Sequence, residues 1–165
     1  NGTAYFAEKD LAIFTINSER YCFNERGEMQ TGLQSLKQAD GSFASYYFGD
    51  DGVMRTGKQT IYNDDLEENQ IWYFQTKGSL KGQGYHGERD NQVYVNGLLK
   101  KADPELRYEP VSTGEKRYLV NTSGTIQKAT SSSSSASRPE LGKGFKDIKD
   151  SNDTVWTVDT SGIIQ

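Results

Sequence analysis

Tyr46-Tyr47-Phe48-Gly49-Asp50-Asp51-Gly52-Val53-Met54-Arg55-Thr56-Gly57 repeats a frame that the chain has already used once, as Tyr21-Cys22-Phe23-Asn24-Glu25-Arg26-Gly27-Glu28-Met29-Gln30-Thr31-Gly32. Tyr46 follows Tyr21 by 25 positions. A period of roughly 20–50 residues signals an array of small supersecondary units, each too small to bury a core alone. Weaker copies follow: Trp72-x-Phe74-x-x-x-Gly78-x-Leu80, Tyr118-x-Val120-x-x-x-Gly124-x-Ile126 and Trp156-x-Val158-x-x-x-Gly162-x-Ile164. Val93-Tyr94-Val95-Asn96-Gly97-Leu98-Leu99 is a shortened copy, and the apolar stretch from Tyr5 to Ile16 reads as strand without aligning to the frame.

In each copy two apolar residues alternate with period two, a polar run ends in glycine, and an apolar residue follows two positions later. Alternation of this kind is strand, and the polar runs Asn24–Gly27, Gly49–Gly52, Asn121–Gly124 and Asp159–Gly162 read as hairpin connections. Glycine in the last place supplies the positive φ of a type I turn with a bulge, and Asn96-Gly97 is the strongest two-residue hairpin signal. Strand alternation then puts the two apolar residues of each copy, and the one after its turn, on a common interior face. Met29, Met54, Trp72, Leu80 and Trp156 fall in that stripe. Cys22, between Tyr21 and Phe23, falls on the outer side as a small filler.

A lone hairpin is marginal in water, so the units must stack. The predicted architecture is all-β, a β-hairpin solenoid, with a sandwich or barrel of short strands as the alternatives. Residues 1–128 form the array, 129–139 a Ser-rich loop or linker and 140–165 a terminal hairpin packing on the array. The loop, with its run Ser131–Ser135, is expected to be flexible, and a short turn is expected at Asp103-Pro104-Glu105-Leu106.

Composition narrows the function classes. The 165 residues contain 33% hydrophobic residues and carry a net charge of −4, with 19 basic and 23 acidic residues interspersed. Nucleic acid, which demands a basic face, is an unsuited partner. No apolar run reaches membrane-spanning length, so membrane insertion is not expected. Asn1-Gly2-Thr3 is neither an initiator nor a leader, which suggests a piece of a larger polypeptide. Cys22, the only cysteine, and His86, the only histidine, supply neither a disulfide nor a metal set, and no cofactor is expected. Asn63–Asn69 is an acidic loop without the spacing of a calcium site.

Thr31-Gly32-Leu33-Gln34-Ser35-Leu36 and Thr56-Gly57-Lys58-Gln59-Thr60-Ile61, taken with Tyr46–Met54, resemble the bacterial cell-wall-binding repeat family. That family includes choline-binding repeats, the glucan-binding repeats of glucansucrases and the C-terminal repeats of clostridial glucosylating toxins. The resemblance spans residues 20–84 and continues more weakly over 92–128 and the last repeat. It implies a non-catalytic module of a secreted or surface-attached bacterial protein, binding cell-wall polymer or another glycan between successive hairpins. The choline-binding branch places a Trp two residues before a Tyr and another after the Thr-Gly. Arg20, Ser45 and Ile71 stand in the first slot here and Leu33 and Lys58 in the second, leaving Tyr47 and Tyr73. A quaternary ammonium needs several ring faces, so the chain is nearer to the glucan-binding and toxin branches.

The candidate site is a row of outward rings, Tyr47, Tyr73 and Tyr94, with Gln34, Gln59, Lys58 and Asp50 as hydrogen-bonding partners for sugar hydroxyls. The alternative is a structural spacer or protein-interaction module, in which the tyrosines pack or pair two copies through the repeat ends.

Overall fold

The computed structural model describes residues 4–165, and they are all-β apart from a single 3₁₀ turn at Pro139–Leu141. They divide into two compact units. One runs to Tyr85 and includes Asn96–Leu98; the other comprises His86–Val95 and Leu99–Gln165.

In the first unit β1 (Leu11–Ile16), β2 (Glu19–Asn24) and β3 (Met29–Gln30) form one antiparallel sheet, and β4 (Gly32–Lys37), β5 (Phe43–Phe48) and β6 (Met54–Arg55) form a second. The long hairpin of β7 (Gly57–Asn63) and β8 (Glu68–Phe74) follows, and Leu98 pairs with Trp72 at its edge. The second unit holds β9 (Gly87–Arg89) with β10 (Gln92–Val95), the end of β11 (Leu98–Leu99), β12 (Tyr108–Ser112) with β13 (Arg117–Asn121), and β14 (Lys146–Lys149) with β15 (Val155–Val158).

The turn chemistry matches its reading. Gly27, Gly52, Gly124 and Gly162 have φ between 77° and 87°. In three of these loops an Asn or Asp clasps its own turn: Asn24, Asn121 and Asp159 each accept two backbone N–H groups through Oδ1, at 2.8–3.0 Å. Each such loop links the core strand to a short strand, while the longer hairpins arise one strand earlier. Asn17-Ser18 and Asp90-Asn91 make two of those turns with both residues at positive φ, the type I′ geometry usually left to glycine.

The third copy is out of register with its sequence reading. Leu80 is 51% exposed, and Phe74 bridges to Gly84 as Phe48 pairs with Met54. Gly82 and Gly84 therefore take the places assigned to Gly78 and Leu80. A side chain at position 84 is excluded because its Cβ would fall 2.7 Å from Asn96 O.

The inward stripe is core at Phe48, Phe74, Val93, Leu99, Tyr118, Val120, Ile126 and Val158. The opposite slot is not outward. Cys22 and Leu119 are fully buried, Tyr94 is 2% exposed and Thr157 is buried. Cys22 packs with Leu36 and Phe48, the Tyr47 ring lies on Phe74, and Leu119 packs with Ile148 and Val158. In these three copies the residue between the two apolar positions covers the second apolar position of the next. Burial pushes the Cys22 thiol up to about 11, which keeps it protonated and unreactive.

The Ser-rich segment is ordered around one carboxylate. Asp147 accepts from the Ser135 hydroxyl, from the Ser137 N–H and hydroxyl at 2.9 Å each, and from the Thr157 hydroxyl at 2.9 Å. Ser135 is buried. The expectation of a flexible loop fails because the hydroxyl side chains meet a shared acceptor. Burial alone would raise the Asp147 pKa, but the hydrogen bonds prevail and hold it far below its ordinary 3.8. Because the folded value is depressed, the stabilisation is present above the ordinary value and is lost as pH falls through the folded one. Thermal stability is therefore expected to fall below about pH 4. Asp147→Asn should cost on the order of 2 kcal/mol at neutral pH and flatten that acid slope; an unchanged slope in the variant would assign the acid lability elsewhere.

Candidate functional site

The two Thr-Gly turns lead from each short strand into the next hairpin, with Gly32 and Gly57 both at φ 75°. Gln34 Nε2 donates to Thr31 O at 2.7 Å, and Gln59 Nε2 donates to Thr56 O at 2.8 Å. The matched glutamines therefore brace their own turns. Asp50 is exposed in its loop, and its neighbour Asp51 organises that loop, accepting from Val53 N–H and from the Arg55 guanidinium at 3.0 Å each. The Val53 N–H first, and Arg55 with it, hold the Asp51 carboxyl below its usual range. The Arg55 guanidinium lies over Gly49, where a Cβ would fall 2.3 Å from its nearest nitrogen.

The three tyrosines of the predicted row have three different surroundings. Tyr94 is buried in the second unit, its hydroxyl 3.3 Å from Gln92 Oε1, and presents no ring to solvent. It occupies the same covered slot as Cys22 and Leu119. Tyr47 is half-buried and stacks on Phe74 at 6.1 Å and 19°; Phe74 in turn stacks on Trp72 at 6.1 Å and 4°. One face of Tyr47 is thereby taken. Tyr73 is half-buried and meets Tyr85 edge to face at 6.1 Å and 86°, while Tyr85 N–H donates to Tyr73 O at 2.9 Å.

Lys58 faces Tyr73 across the β7–β8 ladder and is exposed. Tyr73 and Tyr85 thus form a corner of two rings at right angles within the first unit, with Lys58 paired opposite Tyr73 on the neighbouring strand. Tyr85 is not among the candidates read from the sequence. The signal available was an aromatic residue placed directly after Gly84, the second glycine of the Gly82-x-Gly84 pair.

His86 Nε2 lies 2.7 Å from Thr113 O. Among the described residues no three His, Cys, Asp or Glu side chains come together as a metal-binding group, and no helix is long and apolar enough to cross a membrane.

These features define the chain as a β-hairpin repeat protein with a half-exposed aromatic corner. No family model matches it. Among solved structures it is similar to choline binding protein F from Streptococcus pneumoniae, at 20% identity and a TM-score of 0.48, covering 95% of this chain and 40% of that one. It is also similar to CbpJ from the same species, at 17% identity and a TM-score of 0.40, covering 98% and 55%. Alternansucrase in complex with isomaltononaose gives 15% identity and a TM-score of 0.45, covering 94% of this chain and 10% of the enzyme. A large tegument protein deneddylase of Murid herpesvirus 1 is 26% identical over 106 residues, which cover 64% of this chain. The chain spans 5% of that protein's length.

Proposed function

We propose that the chain is a non-catalytic glycan-binding module, a β-hairpin solenoid acting within a larger secreted or surface-attached bacterial protein. Its ligand is cell-wall polymer or another glycan. Residues 1–128 serve as the array, with the Ser-rich loop of 129–139 and the terminal hairpin of 140–165 completing it. The observation that carries the reading is the Tyr73–Tyr85 corner with Lys58 at its edge. A pyranose has apolar C–H faces that lie on an aromatic ring and hydroxyls that a neighbouring ammonium can bind. A single shallow contact of this kind is weak, so useful affinity comes from several engaged at once on a polymer.

Tyr73→Ala with Tyr85→Ala should reduce retention on insoluble glucan or purified cell wall by about tenfold, the loss of roughly 1.4 kcal/mol of ring contact. Far-ultraviolet circular dichroism should keep its β signal. Undiminished retention by a folded double variant would remove the corner from the reading.

A second reading, a protein-interaction or spacer module, draws on Phe43, Tyr62 and Leu66, which are 56–60% exposed on the β4–β5 and β7–β8 hairpins. Self-association through these hairpins would raise the mass measured by light scattering, and Phe43→Ser with Leu66→Ser would abolish the increase.

A further inference from the structure

The seven arginines of this chain divide by what their guanidinium groups meet. Arg26, Arg55, Arg89 and Arg138 each lie 3.0–3.9 Å from the carboxylate of a near neighbour in sequence. Among the described residues Arg20, Arg107 and Arg117 form no such pair, although the chain holds 23 acidic residues against 19 basic ones. Arg20 donates to Lys81 O at 3.3 Å. The other two lie on rings of the second unit, Arg107 over Tyr108 at 5.6 Å and Arg117 over Trp156 at 5.8 Å. A ring face attracts a cation without using its N–H donors.

Of these two, Arg117 is the more firmly placed. The Trp156 ring on which it lies packs against Leu119, Ile148 and Val158. The indole N–H donates to Asp150 Oδ2 at 3.0 Å, and Asp150 Oδ1 accepts the N–H groups of Asn152 and Thr154 at 2.8 and 3.0 Å. The indole bond first, and the two backbone bonds with it, hold the Asp150 carboxyl below its usual range. That carboxylate is engaged with the ring and its own turn, and Arg117 is left without a counter-ion.

Arg117 is exposed, and among the described residues its side chain donates no hydrogen bond. Ser112 stands directly opposite it on the β12–β13 ladder and is also exposed. Ser112 Oγ accepts from Gly114 N–H at 3.1 Å, and its own proton has no acceptor among the described residues. An arginine that grips a ligand ordinarily gives up rotamer freedom in doing so; one already held on a fixed ring gave it up on folding. The planar fork matches the paired oxygens of a carboxylate or phosphate, and such charge-assisted bonds are about twice as strong as those to a neutral hydroxyl.

We propose that Arg117, clamped on Trp156 and with the Ser112 hydroxyl opposite, is a second binding seat that takes an anionic substituent of the glycan, a carboxylate or a phosphate. This rests on the reading of the chain as a glycan-binding module and narrows its ligand to an acidic polymer.

The test titrates the 165-residue chain with galacturonic acid, glucose 6-phosphate and glucose, following the Arg117 Nε–H and Trp156 Nε1–H signals by nuclear magnetic resonance. One or both acids should move the two signals together and saturably, while glucose leaves them in place. Which acid does so separates a carboxylate from a phosphate source. Arg117→Lys still caps the ring with a cation but lacks the fork, so it should weaken binding of the acid about tenfold, read at the Trp156 signal. Shifts that fail to saturate, that glucose reproduces, or that Arg117→Lys leaves equally tight would overturn the seat. A chain that binds the acid sugar saturably but is not retained on purified cell wall would support the seat and sink the glycan-module reading. Retention on cell wall with no response to either acid would do the reverse.

Discussion

Phe48→Ala is expected to destabilise the first unit by about 3–5 kcal/mol, the range for removing a fully enclosed ring. Phe48 is 0% exposed and packs with Cys22 and Leu36, flanked by Leu11, Ile13, Tyr46 and Met54. That cluster joins the β1–β2 hairpin to the β4–β5 hairpin, so the cavity opens at a junction between repeats. Since a domain of this size has only about 5–15 kcal/mol in hand, the variant should unfold at a clearly lower urea concentration. Phe43→Ala, on the same strand but 58% exposed, should stay within about 0.5 kcal/mol. Similar losses for the two variants would show that the hairpins do not pack through Phe48.

Gly84→Ala should rank next, at about 3 kcal/mol, the upper end of ordinary overpacking. Its added Cβ would meet backbone on the facing turn: Asn96 O at 2.7 Å, Asn96 C at 2.8 Å and Gly97 Cα at 2.9 Å. Backbone cannot swing aside as a side-chain tip can. Displacing the turn would strain three hydrogen bonds at once: Gly97 N–H to Tyr85 O at 2.7 Å, Tyr73 N–H to Gly97 O at 2.8 Å, and Ser45 N–H to Asn96 Oδ1 at 3.2 Å. Gly78→Ala is the matched comparison. Gly78 has φ 80° but nothing within 4 Å of its added Cβ, so only the backbone term of about 1 kcal/mol applies. A larger loss at Gly78 than at Gly84 would restore the simple periodic frame and refute the shifted register of the third repeat.

The candidate site was legible in the sequence only in part. That Tyr73 lies half-buried with Lys58 opposite it on the β7–β8 ladder is readable because period-two alternation and strand pairing are local properties. Tyr94 was misplaced because alternation predicts which side a residue faces and says nothing of what covers that side. Tyr85 escaped because its partner, Tyr73, is met only once Gly82 and Gly84 have turned the chain back. The Gln34 and Gln59 amides were read as free donors, yet the Thr carbonyl three residues before each one takes its N–H.

From its residues alone this chain was committed to β-hairpins. Alternating rings, glycines at the positive-φ place of each loop and Asn or Asp clasping those loops act over a few neighbouring residues, and their energetics are complete within one turn. The tertiary structure decided which faces are buried, where the third copy closes, that a serine run is organised by Asp147, and that Phe23 is half-buried where Phe48 and Phe74 are enclosed. Each of these depends on contact between hairpins distant in sequence, where exclusion of water and steric fit, rather than local conformational preference, set the outcome.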